Sequence, residues 1–248
     1  MLKHTFWIIA NKYGRIFSRA WLIHIHHAIL IFVLHGLGYD NTFRPSFTGE
    51  TWFIKNVLRK HKPSVCIDVG ANIGNYSKKL IDYTDAKVYS IEPSSSSFEE
   101  LSKKCKDNCF NFAVADFNGE ATLYSKEEKS ETASLDPAVS DGGGEKVKVI
   151  TLEKFVHDQG IEVVDFLKID TEGYEKEVIK GMGSLQPKLI QFEFNLLHLR
   201  RHCTLYDICE LLPNYSFYRL LPNGWVKIDK NSFVNNIFMF SNFIAVRL

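Results

Sequence analysis

The first 39 residues contain no aspartate and no glutamate. They carry Lys3, Lys12, Arg15 and Arg19, and five of the nine histidines: His4, His24, His26, His27 and His35. Over all 248 residues, 30 Lys and Arg nearly cancel 29 Asp and Glu. The net charge of +1 therefore joins a segment near +4 to a remainder near −3. A nucleic-acid binder carries a basic excess across its domain, and the remainder has none. Cysteine is scarce and odd in number: Cys66, Cys105, Cys109, Cys203 and Cys209. No disulfide framework is expected from such a set. Cys105 and Cys109 stand at i,i+4, but no nearby His or Cys pair completes a zinc site. Structural thiols in a reduced, cytoplasmic setting are the expectation.

A long apolar run is also missing. Residues 20–39 lack Asp, Glu, Lys and Arg, yet the longest strictly apolar stretch is Ala28 to Leu34. A membrane span needs ~20 mostly apolar residues. His24, His26 and His27 interrupt the segment and His35 closes it. No cleavage pattern of a secretory signal follows near residue 35. The segment reads as an amphipathic helical extension over residues 1–45. The preferred expectation is that it packs on the domain or on a partner subunit. The other reading is peripheral membrane contact, with Trp7, Phe17, Trp21 and Phe32 on one side and Lys12, Arg15 and Arg19 facing anionic headgroups.

What is present is 45% hydrophobic and 24% charged residues, enough for one large folded domain over residues 46–248. From residue 46 the chain alternates short apolar runs with helical patterns. Phe47 to Arg59 reads as a helix that Pro63 ends. Val65 to Val69 reads as a strand, Asn75 to Tyr83 as a helix, and Lys87 to Ile91 as a second strand. Ser94 to Ser97 offer N-caps for a helix toward Cys105. Phe110 to Ala115 and Ala121 to Tyr124 follow as strands about an Asn118-Gly119 turn. Residues 125–145 are polar and read as a surface loop or substrate lid. Lys146 to Ile150, Asp165 to Asp170 and Lys188 to Phe194 are further strands. Helices are expected from Thr151, over Glu175 to Lys180, and over Leu205 to Leu212. Tyr215 to Leu220 and Asn242 to Val246 form a closing antiparallel pair. The class is α/β, with a mostly parallel sheet and helices on both faces.

Parallel α/β sheets bind ligands beyond the carboxyl ends of their strands. Asp68-Val-Gly-Ala-Asn-Ile-Gly74 lies at such an end. Gly70 permits a tight turn and close ligand approach, and Gly74 stands at the helix start. Glu92 ends the next strand, where a carboxylate can accept hydrogen bonds from both ribose hydroxyls. Asn72 replaces the middle glycine of a dinucleotide fingerprint, and no Gly-Lys-Ser/Thr follows Gly74. Adenosine without phosphates fits better, which points to S-adenosylmethionine. Asn72 and the turn amides are placed for its amino-acid moiety.

Further motifs resemble the FkbM-type methyltransferases, a class I S-adenosylmethionine-dependent family. They are Ile67 to Asn75, Ser90-Ile-Glu-Pro93, Asp116-Phe-Asn-Gly119, Thr132-Ala-Ser-Leu135, Val149-Ile-Thr-Leu152, Leu167-Lys-Ile-Asp-Thr-Glu-Gly-Tyr-Glu175, Phe192-Glu-Phe-Asn195 and Asn242 to Val246. The resemblance covers roughly residues 48–248. It implies a Rossmann-like sheet of seven strands with an antiparallel last strand, and O-methylation, often of sugar hydroxyls. Cofactor contacts are expected at Asp68, Gly70, Ala71, Asn72, Gly74, Asn75, Glu92 and Asp116. Asp170, Glu172 and Glu193 end neighbouring strands. Asp170 is the candidate base, Glu172 a second catalytic candidate, and Glu193, Ser134 and Tyr174 candidate substrate contacts. His198 is another candidate base, although a lone His is more often a packing residue. Tyr174 and Trp225 are aromatics suited to a sugar face or to a core. The three acids would also suit a divalent cation, which is not favoured because no His-plus-carboxylate spacing calls for one.

The expected partner is thus a sugar or glycan acceptor, not a nucleic acid. None of the seven prolines precedes Cys or another Pro. The Pro-Pro-aromatic and Pro-Cys signatures of nucleic-acid methyltransferases are therefore absent. The alternatives are a methyltransferase on another acceptor, nucleic acid or small molecule, and a non-catalytic, membrane-associated binding protein that retains the fold.

Overall fold

The computed structural model describes residues 2–41, 47–125, 133–135 and 144–248. Two helices come first, α1 (Leu2–Phe17) and α2 (Ile23–Gly36), followed by α3 (Glu50–Asn56). Then strands and helices alternate: β1 (Val65–Val69), α4 (Asn75–Tyr83), β2 (Lys87–Ile91), α5 (Ser95–Cys105) and β3 (Cys109–Phe110). Short strands β4 (Ala113–Val114), β5 (Gly119–Tyr124) and β6 (Gly144–Ile150) precede α6 (Leu152–Asp158). β7 (Phe166–Ile169), α7 (Glu175–Lys180), β8 (Leu189–Phe194), α8 (Leu196–Arg200) and α9 (Leu205–Glu210) continue the pattern. β9 (Tyr215–Leu221), β10 (Gly224–Lys227) and β11 (Ser241–Arg247) close it.

The main sheet runs β10-β9-β11-β8-β7-β1-β2-β3. From β8 to β3 every pairing is parallel, and β11 enters antiparallel beside β8. The reversed last strand agrees with expectation, but the strand number does not. Eight strands replace seven because the chain turns at residues 222–223 and β10 returns on β9. Phe110 to Ala115 also splits: β3 joins the main sheet, whereas β4 joins a smaller sheet of order β4-β6-β5. Helix α3 is shorter than expected. Its chain tightens into a 3-10 turn over Leu58–His61 and leaves through Lys62 at φ 47. Two N-caps follow the sequence: Ser94 accepts from Ser97 N, and Thr151 from Lys154 N.

Alternating side chains divide the core between the two sheet faces. Ile67, Tyr89, Leu167 and Ile190 pack on one face with Phe155, Val178 and Ile208. Cys66, Val88, Phe166 and Leu189 pack on the other with Phe53, Leu58 and Leu80. The first two helices behave differently. Across α1 and α2 only Leu34 is buried among residues with described side chains. The expectation is packing on the domain or on a partner subunit; on the domain itself, the described contacts of this segment gather at its end, where Leu34 and Tyr39 are buried.

Candidate active site

Strand register places four polar side chains in one row. Asp68 pairs with Ser90 on one side and Lys168 on the other, and Lys168 pairs with Gln191. All four are buried. Two residues further along each strand, on the same face, stand Glu92, Gly70, Asp170 and Glu193. The carboxyl end of the sheet thus carries an inner polar row and an outer row of acids around one glycine.

The inner row is a support. Ser90 Oγ donates to Ser77 Oγ at 2.7 Å, and Ser77 Oγ donates to Asp68 Oδ2 at 2.5 Å. Burial raises the Asp68 pKa to about 6, against the opposing pull of Lys168 and the Ser77 hydrogen bond. Lys168 Nζ lies 2.7 Å from Asp170 Oδ2 and 3.9 Å from Glu50 Oε1. Burial alone would lower the Lys168 pKa, but these acids hold it above its ordinary value. Gln191 Nε2 donates to Glu50 Oε1 at 3.0 Å and to Asn242 Oδ1 at 3.1 Å. Its Oε1 accepts from the Tyr76 hydroxyl at 2.6 Å.

The turn after β1 is built around Glu92. Gly70 has φ 79, and Gly70 N and Ala71 N both donate to Ile91 O at 2.9 Å. Asn72, also left-handed at φ 48, donates its backbone N–H to Glu92 Oε2 at 2.8 Å. Ser94 N donates to Glu92 Oε1 at 2.9 Å. Each oxygen keeps lone-pair capacity for a ligand. Burial raises the Glu92 pKa to about 7, against the pull of the two amides.

A cleft opens here. Gly70, Asn72 and Glu92 line one part, and Phe112, Val114, Leu123 and Leu135 give it an apolar wall. Asp170, Glu172, Tyr174 and Ser134 line another part. Ser134 Oγ donates to Glu172 O at 2.9 Å, tying two candidate segments together. Glu172 is left-handed at φ 50. Glu193 is half-buried outside the cleft wall and accepts from Asn195 Nδ2 at 2.5 Å. Burial, then repulsion from Asp170 and Glu172, pushes its carboxyl well above the usual range. Asp170 and Glu172 thus line the cleft, while Glu193 stands outside its lining.

Other expectations need correction. Asp68 and Ala71 are buried and do not reach the cleft wall. Gly74 serves packing: a β-carbon there would meet Leu101 Cδ1 at 2.8 Å. Asn75 is exposed and accepts from Lys104 Nζ at 2.6 Å. Asp116 faces Lys180 at 3.8 Å. His198 is fully buried, with Nε2 2.9 Å from Glu175 Oε2, and its Nδ1 accepts from Asn195 N at 3.2 Å. Both ring nitrogens thus face protein groups, and His198 is absent from the cleft lining. Glu175 also accepts from Thr171 N at 2.8 Å, which fixes the loop after β7. Trp225 stacks on Tyr218 at 4.5 Å, a core contact. Tyr174 does line the cleft, with the Arg201 guanidinium 3.6 Å over its ring. Thr132 and most of the 125–145 loop lie outside the described residues. Among the described residues no group of three or more His, Cys, Asp or Glu is arranged to hold a metal ion.

Sequence reasoning missed Lys168, Glu50, Tyr76 and Gln191. A signal was present in the strand endings Asp68-Val-Gly70, Ser90-Ile-Glu92, Lys168-Ile-Asp170 and Gln191-Phe-Glu193. In each, two polar or glycine positions flank one apolar residue, so both point to one face.

A mostly parallel sheet with helices on both faces, a reversed last strand and an acid-held glycine turn after β1 has the Rossmann-like architecture of class I methyltransferases. The chain belongs to the methyltransferase FkbM domain family, whose model matches residues 68–219. Hexuronic acid methyltransferase AglP of Haloferax volcanii is 26% identical over 162 residues, covering 58% of this chain. The match spans 65% of that relative's length. Among solved structures, the O-methyltransferase from Bacillus cereus in complex with SAH aligns with TM-score 0.44 and 10% identity over 97% of both chains. Precorrin-6y C5,15-methyltransferase from Geobacter metallireducens aligns with TM-score 0.44 and 10% identity, over 84% of this chain and 91% of that one.

Proposed function

We propose that this protein transfers a methyl group from S-adenosylmethionine to a hydroxyl of a sugar. The observation that carries the cofactor reading is Glu92. Its two oxygens are fixed by Asn72 N and Ser94 N at the mouth of the glycine turn, beside an apolar wall. A paired-hydroxyl ligand such as ribose suits that carboxylate, and an adenine face suits Phe112, Val114, Leu123 and Leu135. The similarity to a hexuronic acid methyltransferase supports a sugar acceptor.

S-adenosylmethionine supplies an electrophilic methyl group, so the protein's task is alignment and proton removal. Holding reactants in near-attack geometry contributes ~7–11 kcal/mol. Asp170 is the candidate base: it lines the cleft with its side chain about one-third exposed, and Lys168 fixes it from beneath. General-base action contributes ~10²–10⁴-fold. Glu172 and Tyr174 line the same cleft, which supports a role in orienting the acceptor.

The test is calorimetry with S-adenosylmethionine, then incubation of labelled cofactor with hexuronic acid and neutral-sugar glycans. Cofactor binding and label in a sugar methyl ether are expected. Absence of cofactor binding would favour a non-catalytic protein, and label only in nucleic acid would sink the sugar reading.

A further inference from the structure

Residues 2–36 turn an apolar surface outward. Phe6, Trp7, Ile9, Trp21 and Phe32 are 63%, 62%, 62%, 75% and 79% exposed. Patches of this kind mark sites of association. The two helices are apolar in different ways. On α1, Phe6, Ile9, Tyr13 and Ile16 recur at helical spacing, while Asn11 and Arg15 take the opposite side and Lys12 lies at the margin between them. On α2, five consecutive residues from Ile29 to Val33 are each at least half exposed. Five consecutive helical positions point in every direction, so α2 is apolar all round from Ile29 to Val33, between the polar rings of His24, His26 and His27 and that of His35. A protein groove would cover one side of such a helix, whereas hydrocarbon covers all of them.

Charge and hydrogen bonding agree. No acid precedes Asp40, and the segment carries Lys3, Lys12, Arg15 and Arg19. His26 Nε2 lies 2.9 Å from the Tyr13 hydroxyl, so one polar ring of α2 is partnered by α1. Among the described residues no single helix is long and apolar enough to cross a membrane, and the two helices are bent by 106° at their junction. We propose that residues 2–36 form a monotopic anchor that seats the protein on an anionic lipid bilayer. α1 lies along the interface with its cations at the headgroups, and α2 enters the acyl region.

The anchor is clamped to the sheet. Tyr39 is fully buried. Its hydroxyl donates to Val234 O and accepts from Arg219 Nη1. Arg219 Nε donates to Leu37 O at 2.7 Å, and Asp40 N donates to Phe240 O at 2.8 Å. A β-carbon on Gly38 would come within 2.7 Å of Leu220 O. The catalytic domain is thereby held in one orientation relative to α2.

The test uses the full chain with phosphatidylcholine vesicles, with or without phosphatidylglycerol. Co-sedimentation with the anionic vesicles, weakening with salt, and a blue shift of tryptophan emission are expected. Lys12→Glu/Arg15→Glu/Arg19→Glu should lower partitioning roughly tenfold or more, since each cation adds to the attraction. Ile29→Glu/Phe32→Glu should lower it similarly. These side chains are exposed, so both variants should keep the wild-type melting temperature. Failure to sediment with either vesicle, or equal sedimentation of wild type and both variants, overturns the proposal. So does a stable homodimer, seen by light scattering without vesicles, that Ile29→Glu/Phe32→Glu dissociates.

Discussion

Gly70 and Asp170 meet backbone to backbone: a β-carbon on Gly70 would lie 1.7 Å from the Asp170 carbonyl oxygen. The glycine turn after β1 and the acid after β7 are thus one unit. No side chain fits between them, and Gly70 is left-handed as well. Gly70→Ala should cost about 3 kcal/mol or more. For a chain of this size that is roughly 6–12 °C in melting temperature. Calorimetry should show cofactor binding lost together with stability.

Glu92→Gln should weaken S-adenosylmethionine binding by roughly 10–100-fold through the loss of charge-assisted hydrogen bonds. One of the two amides that now face carboxylate oxygens would then face an amide nitrogen. A titration of wild type against variant reads this directly. An unchanged affinity would remove Glu92 from the cofactor site.

The pH dependence of this site has two opposite limbs. Burial raises Glu92 from 4.5 to about 7 and Asp68 from 3.8 to about 6. A folded pKa above the unfolded one means that the fold favours the protonated group. Stability from these two groups is therefore full below about 4 and is lost as pH rises through 6 and 7. Cofactor affinity should run the other way, because hydroxyls donate to the ionised carboxylate. Binding at pH 8 should exceed binding at pH 6, with proton release on binding at the lower pH. Urea melts of ligand-free wild type and Glu92→Gln should differ in pH slope between these values.

Asp170→Asn should reduce kcat by ~10²–10⁴-fold while cofactor affinity changes little. Lys168→Met tests the support beneath it. It leaves Asp170, Asp68 and Glu50 without the buried cation, so about 3–5 kcal/mol of stability should go. The residual activity should show a shifted pH profile, which a merely structural loss would not produce. Full turnover by Asp170→Asn would move the base elsewhere.

His198→Ala should behave as a stability mutant. Glu175 would keep its Thr171 contact but lose the imidazole, at a cost of about 3–5 kcal/mol. Burial opposes ionisation of Glu175, but His198 and the hydrogen bonds outweigh it and hold its pKa below the ordinary 4.5. The stability from this carboxylate is present above that value and lost as pH falls through the lower folded one. Per folded molecule, kcat should match wild type. A collapse of kcat at full stability would restore His198 as a base.

The sequence made the sheet legible because most strands are short β-rich runs closed by Gly, Pro or an acid. β1, α4 and β2 match their expected bounds residue for residue. β10 was not legible: Gly224 to Lys227 has too few apolar residues to alternate, and only pairing on β9 makes it a strand. At the site, Gly70, Asn72, Glu92 and Asp170 are expected from strand ends, where ligand position is a rule of topology, and these four line the cleft. Asp116, Asn75 and His198 are absent from that lining. A motif fixes which residues occur together, but Lys180, Lys104 and Glu175 decide where those side chains point, and these partners come from tertiary contacts.

The main sheet stops at two short margins. One is the two-residue strand Cys109–Phe110 and the other the four-residue strand Gly224–Lys227. Unpaired strand edges are templates for another chain, and nature blunts them by shortness and by lysine. Here both devices occur, with Lys227 ending the longer margin. Among the described residues the main sheet therefore offers no long open edge for growth by strand addition, and crowded copies are guarded at those two margins against that route to fibrous assembly.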